Sequence, residues 1–536
     1  MKKLKSISII GTLLLASACS KLDSSLNDSI INGTSGGASN SQLLLNGTYN
    51  DLLGLLTSQD QIFSLEENTS DECLVPTRGG DWDDNGVWRV LHAHSWDGTH
   101  SQAQSVFLNL GKLESDATTT LASNPSSSIA AQATFLRTLA QYYYVDLFGQ
   151  VPYRTIAKYN SIDASPVMSA SQAIDTMVNN LNSIISALPN GPYAASPDAA
   201  RFLLMKILLN KQVYLNRQTP AAPSSADMQQ VVALGNAIIN SGRYSLTAHY
   251  FDNFGPNNGG SAPGYGWGTG TEAIFAFPNQ QGVSQVNGIN SAGINARWMM
   301  GLHYNSWNKA LGGAGWNGFS TVADFYNSFD ASDTMRKGNT YYPGVTNTSG
   351  LKVGLLYGQQ YNADGSKVLD RNGNPLFFDT AVHLIEPNPL TLEATGVRVI
   401  KYPPDYQNYN GGQQGNQLQI FRYSDVLLMV AEAQLQLNNN AGALLLVNQV
   451  RSARKAAPLT TLSLVNKSNI YDPNTLVAER QKELYWESWR RQDLIRFGVY
   501  LQNWALKSAD DPKYLLFPIP ATQLVANPNL KQNPGY

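Results

Sequence analysis

The sequence predicts a mostly α protein, in which antiparallel helix pairs form a scaffold and a large loop-rich segment is inserted before the last pair. Three observations carry this. Apolar residues recur at helical spacing in eight stretches, six between residues 41 and 242 and two after residue 423. Between Ser245 and Gln417 that periodicity fades, and Gly and Asn become dense. Hydrophobic residues make up 43% of the 536 positions, enough to bury a large core and too many for a disordered chain.

In chain order, Ser41–Thr57 carries Leu43, Leu44, Tyr49, Leu52, Leu53 and Leu56, and Gln102–Leu121 supplies its partner. Ser128–Phe148 follows, stopped by Gly149 and Pro152, then Ser169–Leu188, which ends at Pro189-Asn190-Gly191. Ala199–Asn216 and Ala226–Ser241 come next, the second closed by Gly242. Tyr423–Leu437 and Ala441–Lys455 form the last pair, and a further helix is expected near 476–506. Pairs of this length and small-residue content resemble degenerate tetratricopeptide repeats, with a period near 34 residues, which stack as a right-handed solenoid. The insert, 245–417, shows only short β-type runs such as Ala273–Phe277 and Val397–Lys401. So long an irregular segment is expected to be functional and to rest on the helices.

Charge and cysteine content exclude several functions. With 37 basic and 39 acidic residues there is no basic excess, so the electrostatic footprint of a nucleic-acid binder is missing. The two cysteines, Cys19 and Cys73, cannot build a disulfide framework or a cysteine zinc site, and no motif calls for a cofactor. What the chain has is rings: 26 Tyr, 17 Phe and 10 Trp, suited to neutral ligands. At the N-terminus, Lys2, Lys3 and Lys5 precede the apolar run Ile7–Leu15 and then Ala16-Ser17-Ala18-Cys19. That run is too short to span a bilayer and resembles a bacterial lipoprotein signal, in which Cys19 becomes the acylated first residue. Residues 1–18 are then a signal peptide and 19–40 a Ser/Asn/Gly-rich tether holding the chain to a membrane.

The C-terminal third reads Phe421-Arg422-Tyr423-Ser424-Asp425, Ala431-Glu432-Ala433, Leu446-Val447-Asn448-Gln449-Val450-Arg451, then Glu479-Arg480 and Glu483-Leu484. It continues with Glu487-Ser488-Trp489-Arg490-Arg491-Gln492-Asp493-Leu494-Ile495-Arg496, Phe517-Pro518-Ile519-Pro520 and Asn527-Pro528-Asn529-Leu530. With Ala133–Arg137 and Phe148-Gly149-Gln150-Val151-Pro152 upstream, these runs resemble the SusD/RagB family of surface lipoproteins. Ser488 stands where that family usually has Gly, and inside a helix serine is the better tolerated of the two. The resemblance implies one domain over 41–536, with helix pairs at 41–242 and 418–510 around the insert. It also implies a non-catalytic protein that captures glycan at the cell surface and delivers it to a SusC-like TonB-dependent transporter in the outer membrane.

Sugars offer paired hydroxyls and a flat C–H face, which carboxylates, guanidinium groups and aromatic rings recognise. Asp71, Arg78, Trp82 and Trp96 supply those types, in the stretch from which members of that family draw ligand contacts. Alternatively, Asp71 and Arg78 pair with each other to hold a loop. A second cluster, Tyr304, Trp307 and Trp316, lies on the Gly-rich stretch Asn295–Phe319, with at least one of the two tryptophans expected on the surface and Trp298 in the core. His92, His94 and His100 lack acids at metal-ligand spacing, and Asp370-Arg371-Asn372-Gly373-Asn374 lacks the glycine position and final Glu of a calcium loop. Glu479, Glu483 and Glu487 share one helical face and suggest an ion network with Arg490 and Arg491. The competing function is a surface glycoside hydrolase, its acids drawn from Glu66, Glu67, Asp71, Glu72, Asp81, Asp83 and Asp84.

Overall fold

The computed structural model describes residues 37–261, 268–306, 315–341, 352–362, 364–405, 408 and 413–536. Cys19, the signal segment and Trp307 lie outside the described residues.

The helices begin and end where local chemistry allows. Helix α1 is Gly37–Thr57, and the short α2 is Ile62–Glu67. Helices α3 (Ser101–Ala122) and α4 (Ser127–Phe148) are joined by four residues, and the Ser126 side chain accepts from the Ile129 N–H to start the second. Gly149, at φ +72°, closes α4 in the left-handed conformation that glycine adopts freely. Helix α5 (Ala170–Ile184) opens on a reciprocal Ser169/Gln172 cap, α6 (Pro197–Leu215) on Ser196 with Pro197 in its first turn, and α7 (Ser225–Ile239) on Ser224. After the insert come α8 (Tyr423–Gln436) and α9 (Asn440–Ala453).

Each helix packs on its neighbour in sequence: α3 on α4, α4 on α5, α5 on α6, α6 on α7, while α1 lies against α3. Helix α7 then packs directly on α8 across the insert, and α8 on α9. The insert is therefore an excursion from one continuous helical array. At the α7–α8 contact, Gly235 lets the backbones approach, since a Cβ there would lie 2.1 Å from Cγ2 of Val430. Strands within the described residues are short. Apart from the two-stranded pairs Gln150–Pro152 with Val167–Ser169 and Gln285–Val286 with Ile289–Asn290, they are β1 (Ala273–Ala276), β2 (Gly338–Thr340), β3 (Val353–Leu356), β4 (Gly358–Gln359), β5 (Phe377–Phe378), β6 (Arg398–Ile400) and β7 (Gln419–Arg422). The largest sheet has three strands in the order β6–β3–β2, and β7 pairs antiparallel with β1 to carry the chain back into α8.

One expectation is corrected. The helix expected near 476–506 is broken into α10 (Leu476–Leu484) and α11 (Arg490–Arg496). Between them Trp486 and Ser488 adopt φ +57° and +65°, so Ser488 occupies a left-handed turn rather than a helix. Glycine suits that conformation without a Cβ penalty, and serine does not. Glu67 and Glu72 reach across from the end of α2 to hold the turn: Glu67 accepts from the Ser488 N–H, and Glu72 from the Trp486 N–H at 3.0 Å.

The arginine-rich C-terminal runs converge in the interior. Glu483 accepts from Arg454 (2.7 Å), Arg422 (3.0 Å) and Arg336 (3.4 Å), and Glu479 from Arg336 and Arg451 at 2.7 Å each. Glu272 takes Arg422 and Arg454, and Glu487 takes Arg422 and Lys401. Burial pushes the Glu483 carboxyl up, but Arg454 and Arg422 outweigh it and hold the group well below its usual range. The three glutamates do join one ion network, but with Arg336, Arg422, Arg451, Arg454 and Lys401 rather than with Arg490, which pairs with Asp71, or Arg491, which lies beside Asp146. Glu487 reaches it from the turn after α10 and not from a shared helical face.

Candidate functional site

Two loops that are far apart in sequence meet on the surface of the insert. Trp82 donates its indole N–H to the Trp316 carbonyl at 2.7 Å, packs edge-on to Trp88 and Phe319, and lies against Gly318, where a Cβ would fall 2.4 Å from the ring. Its backbone sits at φ +61°, a conformation that costs a bulky residue roughly 1–2 kcal/mol and persists only where the surroundings impose it. Both Trp82 and Trp316 are half-buried. Next to them the Tyr304 hydroxyl donates to Asp81 Oδ2 at 2.5 Å, and burial together with Asp81 raises the phenol pKa, keeping it protonated.

A third element completes this corner. Asp370–Asn374 is a tight turn in which Asp370 Oδ1 accepts from the backbone N–H groups of Asn372 and Asn374, with Gly373 at φ +85°. The turn holds out Arg371, whose guanidinium carbon lies 4.2 Å from the Tyr304 ring centre and whose Nη2 donates to Asp81 Oδ2 at 2.9 Å. Arg371 Nε donates to Glu393, which also receives the Arg371 backbone N–H at 3.0 Å and Nε2–H of His303 at 2.6 Å. The His303 proton is on Nε2 because Nδ1 accepts from the Asn305 N–H. Burial lowers the His303 pKa to about 4, so the ring is a neutral spacer. Burial raises Glu393, but Arg371 and His303 bring it below its usual value, so it stays ionised.

The arrangement is open and chemically double-faced. The Arg371 side chain is 53% exposed, and neither its Nη1 nor Oδ1 of Asp81 is bonded to another described residue. A spare donor and a spare acceptor thus stand side by side in water, beside the edges of two half-buried indoles. That combination matches a vicinal diol and a sugar face. A cavity elsewhere, lined by Arg297, Gln419, Trp486 and Ser488, holds about 30 Å³, room for a water or two but not for a sugar.

Three of the residues expected to touch ligand are instead buried. Asp71 is paired through both carboxylate oxygens with Arg490, at 2.6 and 2.7 Å, and also receives Gln481, so it neither faces solvent nor pairs with Arg78. The Arg78 guanidinium donates to the Leu392 carbonyl, Thr395 Oγ1 (2.8 Å), Ser320 Oγ (2.9 Å) and the Thr395 carbonyl (2.9 Å); burial lowers its pKa to about 10. It braces the loops beneath the corner without reaching the surface. Trp96 stacks on Phe517 and donates to the Tyr536 hydroxyl at 2.8 Å, anchoring the C-terminus. Trp298 is fully buried, as its Met neighbours suggest.

Of the hydrolase candidates, Glu66, Glu67, Asp71 and Glu72 are sealed in the core, Asp84 accepts from the Trp88 indole, and Asp83 pairs with Arg89. The three histidines serve separate structural contacts: His92 between the Cys73 and Ala505 carbonyls, His94 between Asp510 and the Thr69 carbonyl, and His100 as the cap of α3. Among the described residues no group of three or more His, Cys, Asp or Glu is placed to hold a metal ion. Sequence reasoning missed Arg371, Glu393 and His303. The available signal was the Asp-Arg-Asn-Gly-Asn turn, which reads as a hairpin tip carrying one exposed cation once its calcium reading fails.

Known proteins agree with this fold. The chain is 23% identical over 522 residues to the starch-binding protein SusD of Bacteroides thetaiotaomicron, covering 88% of this chain and 85% of that one. A stretch of 121 residues is 33% identical to SusD-like protein P38 of Formosa agariphila, covering 22% of this chain and 24% of that protein. Among solved structures, a SusD superfamily protein from Parabacteroides distasonis superposes with a TM-score of 0.68 at 17% identity, over 93% of this chain and 99% of that one. A laminarin-binding SusD-like protein gives 0.65 at 16% identity, over 93% and 99%. The SusD family model itself matches residues 239–514, a span that takes in the insert, the α7–α8 junction it interrupts and the buried arginine–glutamate network, and on that match the chain belongs to the SusD family.

Proposed function

We propose that this protein is a cell-surface glycan-binding lipoprotein, which captures oligo- or polysaccharide at the corner formed by Asp81, Trp82, Tyr304, Trp316 and Arg371. It is a binding protein and not a glycoside hydrolase. The observation that carries the reading is the half-exposed Arg371–Asp81 pair stacked on Tyr304, with one donor and one acceptor left to solvent. A hydrolase needs two carboxylates across a cleft, and the acids available for that role are buried or engaged. Starch and laminarin binding in relatives of the same fold supports a carbohydrate ligand. In this reading residues 1–18 are removed, Cys19 carries the lipid, the segment to residue 40 is a tether, and 41–536 sits over a SusC-like TonB-dependent transporter that takes up the captured glycan. No described helix is long and apolar enough to cross a membrane, in keeping with attachment by lipid.

An open site excludes little water, so affinities between about micromolar and millimolar are expected. The test is a glycan array on the chain starting after Cys19, followed by calorimetry of the best ligand against Asp81→Ala and Tyr304→Ala. Each should weaken binding by about 1–2 kcal/mol with the fold intact. Unchanged affinity in both places the site elsewhere, and turnover of the ligand would assign the protein to the enzymes. Cys19→Ala should release the protein from the outer membrane.

A further inference from the structure

The hairpin array that presents Arg371 has a second exposed face. Residues 358–378 double back twice: β4 pairs with β5, Tyr361 bridges to Lys367, and Leu369 to Pro375. Directly opposed residues of an antiparallel pair point to the same side, and side chains alternate along each strand. Here Gln360, Val368, Leu376 and Phe378 point inward and are buried, while Tyr361, Lys367, Leu369, Pro375 and Phe377 form an exposed row. Phe377 is 47% exposed and Tyr357, 36% exposed, meets it edge-on at 5.8 Å. Tyr357 in turn stacks on Tyr326 at 5.2 Å and 26°, and Lys337 closes the back of Tyr326 at 3.9 Å.

This row is not a core defect. Of the sixteen large hydrophobic side chains most exposed among the described residues, Tyr341, Tyr357, Tyr361, Leu369 and Phe377 fall within one short stretch of sequence. Concentrated exposure of that kind marks a ligand surface. Asn339, Gln359 and Asn362 beside it are neutral amides, Lys367 is the one charged side chain within the row, and the ring hydroxyls of Tyr357 and Tyr361 make no hydrogen bond to a described residue. Flat faces bordered by neutral donors and acceptors suit a polyhydroxylated chain. The row also starts at the site already described: Asn305, next to Tyr304, donates to the Leu369 carbonyl at 2.9 Å, and Phe377 follows Pro375, the partner of Leu369, by about 7 Å along the strand.

We propose that the row of Tyr357 and Phe377, continued by Leu369 and Tyr361, is a second stacking subsite for the same glycan. The preferred ligand is then a polysaccharide long enough to span from Arg371 to Tyr357. The inference rests on the glycan reading of the Arg371 corner. Two weak contacts on one polymer reinforce each other without any new contact, so the second subsite affects long chains only.

The experiment uses the full chain from residue 20 in affinity electrophoresis through starch, laminarin, xylan and galactomannan gels. Calorimetry with the trisaccharide of whichever polymer retards it follows. The variants are Tyr357→Ala/Phe377→Ala, the milder Phe377→Ser in case the pair disturbs the hairpin, and Arg371→Ala. The expected result is wild-type trisaccharide affinity in the first two, with polymer affinity down about three- to tenfold, whereas Arg371→Ala weakens both. Unchanged polymer affinity in both Phe377 variants, with Arg371→Ala impaired, overturns the second subsite alone. Failure of every gel to retard the wild type, or an Arg371→Ala protein that binds normally, overturns the corner and the subsite together.

Discussion

Around Glu483 and around Asp81 the chain uses the same parts, arginine, carboxylate and tyrosine, and uses them in opposite ways. Around Glu483 each of the four glutamates, Glu272, Glu479, Glu483 and Glu487, has two or more cationic partners, the rings of Tyr250 and Tyr485 lie against Arg454 and Lys401, and all of these side chains are buried. At Asp81 one guanidinium serves two carboxylates and one ring, and about half of it stays in water with a donor unused. A saturated buried network has no capacity left for a ligand, but its loss is ruinous because each removed partner strands a charge in low dielectric. An unsaturated surface cluster contributes little to folding and keeps its hydrogen-bonding capacity for something else. The family signature consists mostly of the first kind: Arg422, Arg451, Glu479, Glu483 and Glu487 all belong to the interior. Such a signature identifies the fold with ease and is silent about the ligand.

The largest expected effect comes from opening the buried network. Arg422→Met removes cationic cover from Glu272, Glu483 and Glu487 at once. It should lower stability by about 3–5 kcal/mol or prevent folding. Guanidinium denaturation with far-UV circular dichroism measures it. A loss below about 1 kcal/mol would mean that the network is dispensable and the contrast with the surface cluster false.

A second buried acidic group behaves differently from the arginine-clad one, and pH separates them. Glu67 and Glu72 face each other behind the 485–489 turn with less cationic cover. Burial raises both, Glu67 well above its usual value and Glu72 to about 7, with Arg490 opposing the rise at Glu72. A raised carboxyl holds its proton in the folded chain where the unfolded chain, at about 4.3, has lost it, so its stabilisation is full below that pH and fades as pH rises towards 7. Glu272, Glu479 and Glu483 are lowered, because their arginines outweigh burial, so their stabilisation is present above that pH and lost on acidification. Stability should therefore peak near about pH 5 and fall by roughly 2–3 kcal/mol towards pH 8. Glu72→Gln should make the alkaline limb shallower, with Glu67 retaining its own share, and leave the acid limb unchanged, which denaturation midpoints across pH would show. A monotonic rise from pH 4 to pH 8 would contradict the reading of Glu72.

Two arginines on neighbouring loops test the contrast at closer range. Arg78→Met breaks four hydrogen bonds and leaves the Leu392 carbonyl without its partner, while the Thr395 carbonyl and Ser320 Oγ keep Arg398. It should cost about 2–3 kcal/mol of stability and loosen the corner above it. Arg371→Ala removes a half-exposed side chain, so stability should change by less than about 0.5 kcal/mol, with glycan affinity falling roughly tenfold. Paired melts and titrations separate the two, and equal stability losses would place Arg371 in the core class.

Helix positions were legible in the sequence because apolar spacing and Ser, Gly and Pro punctuation act locally; Ser169 and Gly149 perform in the structure the start and stop that their positions suggest. The mostly helical fold was legible for the same reason, whereas the ionic partners of Glu479, Glu483 and Glu487 were not: spacing named Arg490 and Arg491, and the structure supplies Arg336, Arg422, Arg451 and Arg454. The proposed binding corner was legible only in part. Tyr304, Trp82 and Trp316 lie on loops whose composition marks them, and the structure brings them together. Asp71, Arg78 and Trp96 have the same chemistry, yet face inward, because orientation depends on distant partners, Arg490, Thr395 and Phe517, that no local pattern reveals. Arg371 was overlooked for the converse reason: its turn was visible, but its approach to Asp81, 290 residues away, is set by tertiary contacts alone.

The smallest effect concerns a single methylene and hydroxyl. A serine in a helix should be preferred to glycine, but at φ +65° the preference reverses, since the Ser488 Cβ crowds the following carbonyl at a cost of roughly 1 kcal/mol. The Ser488 backbone N–H must still reach Glu67, and glycine keeps that donor. Ser488→Gly should therefore raise stability, though by less than the strain released, because glycine also widens the unfolded ensemble. A net gain of about 0.5–1 kcal/mol is expected, with glycan affinity unchanged because the turn faces the core. Ser488→Ala retains the Cβ and should gain nothing, so the two variants separate backbone strain from loss of the hydroxyl. If alanine and glycine behave alike in denaturation, the left-handed turn between Leu484 and Arg490 does not carry the strain assigned to it.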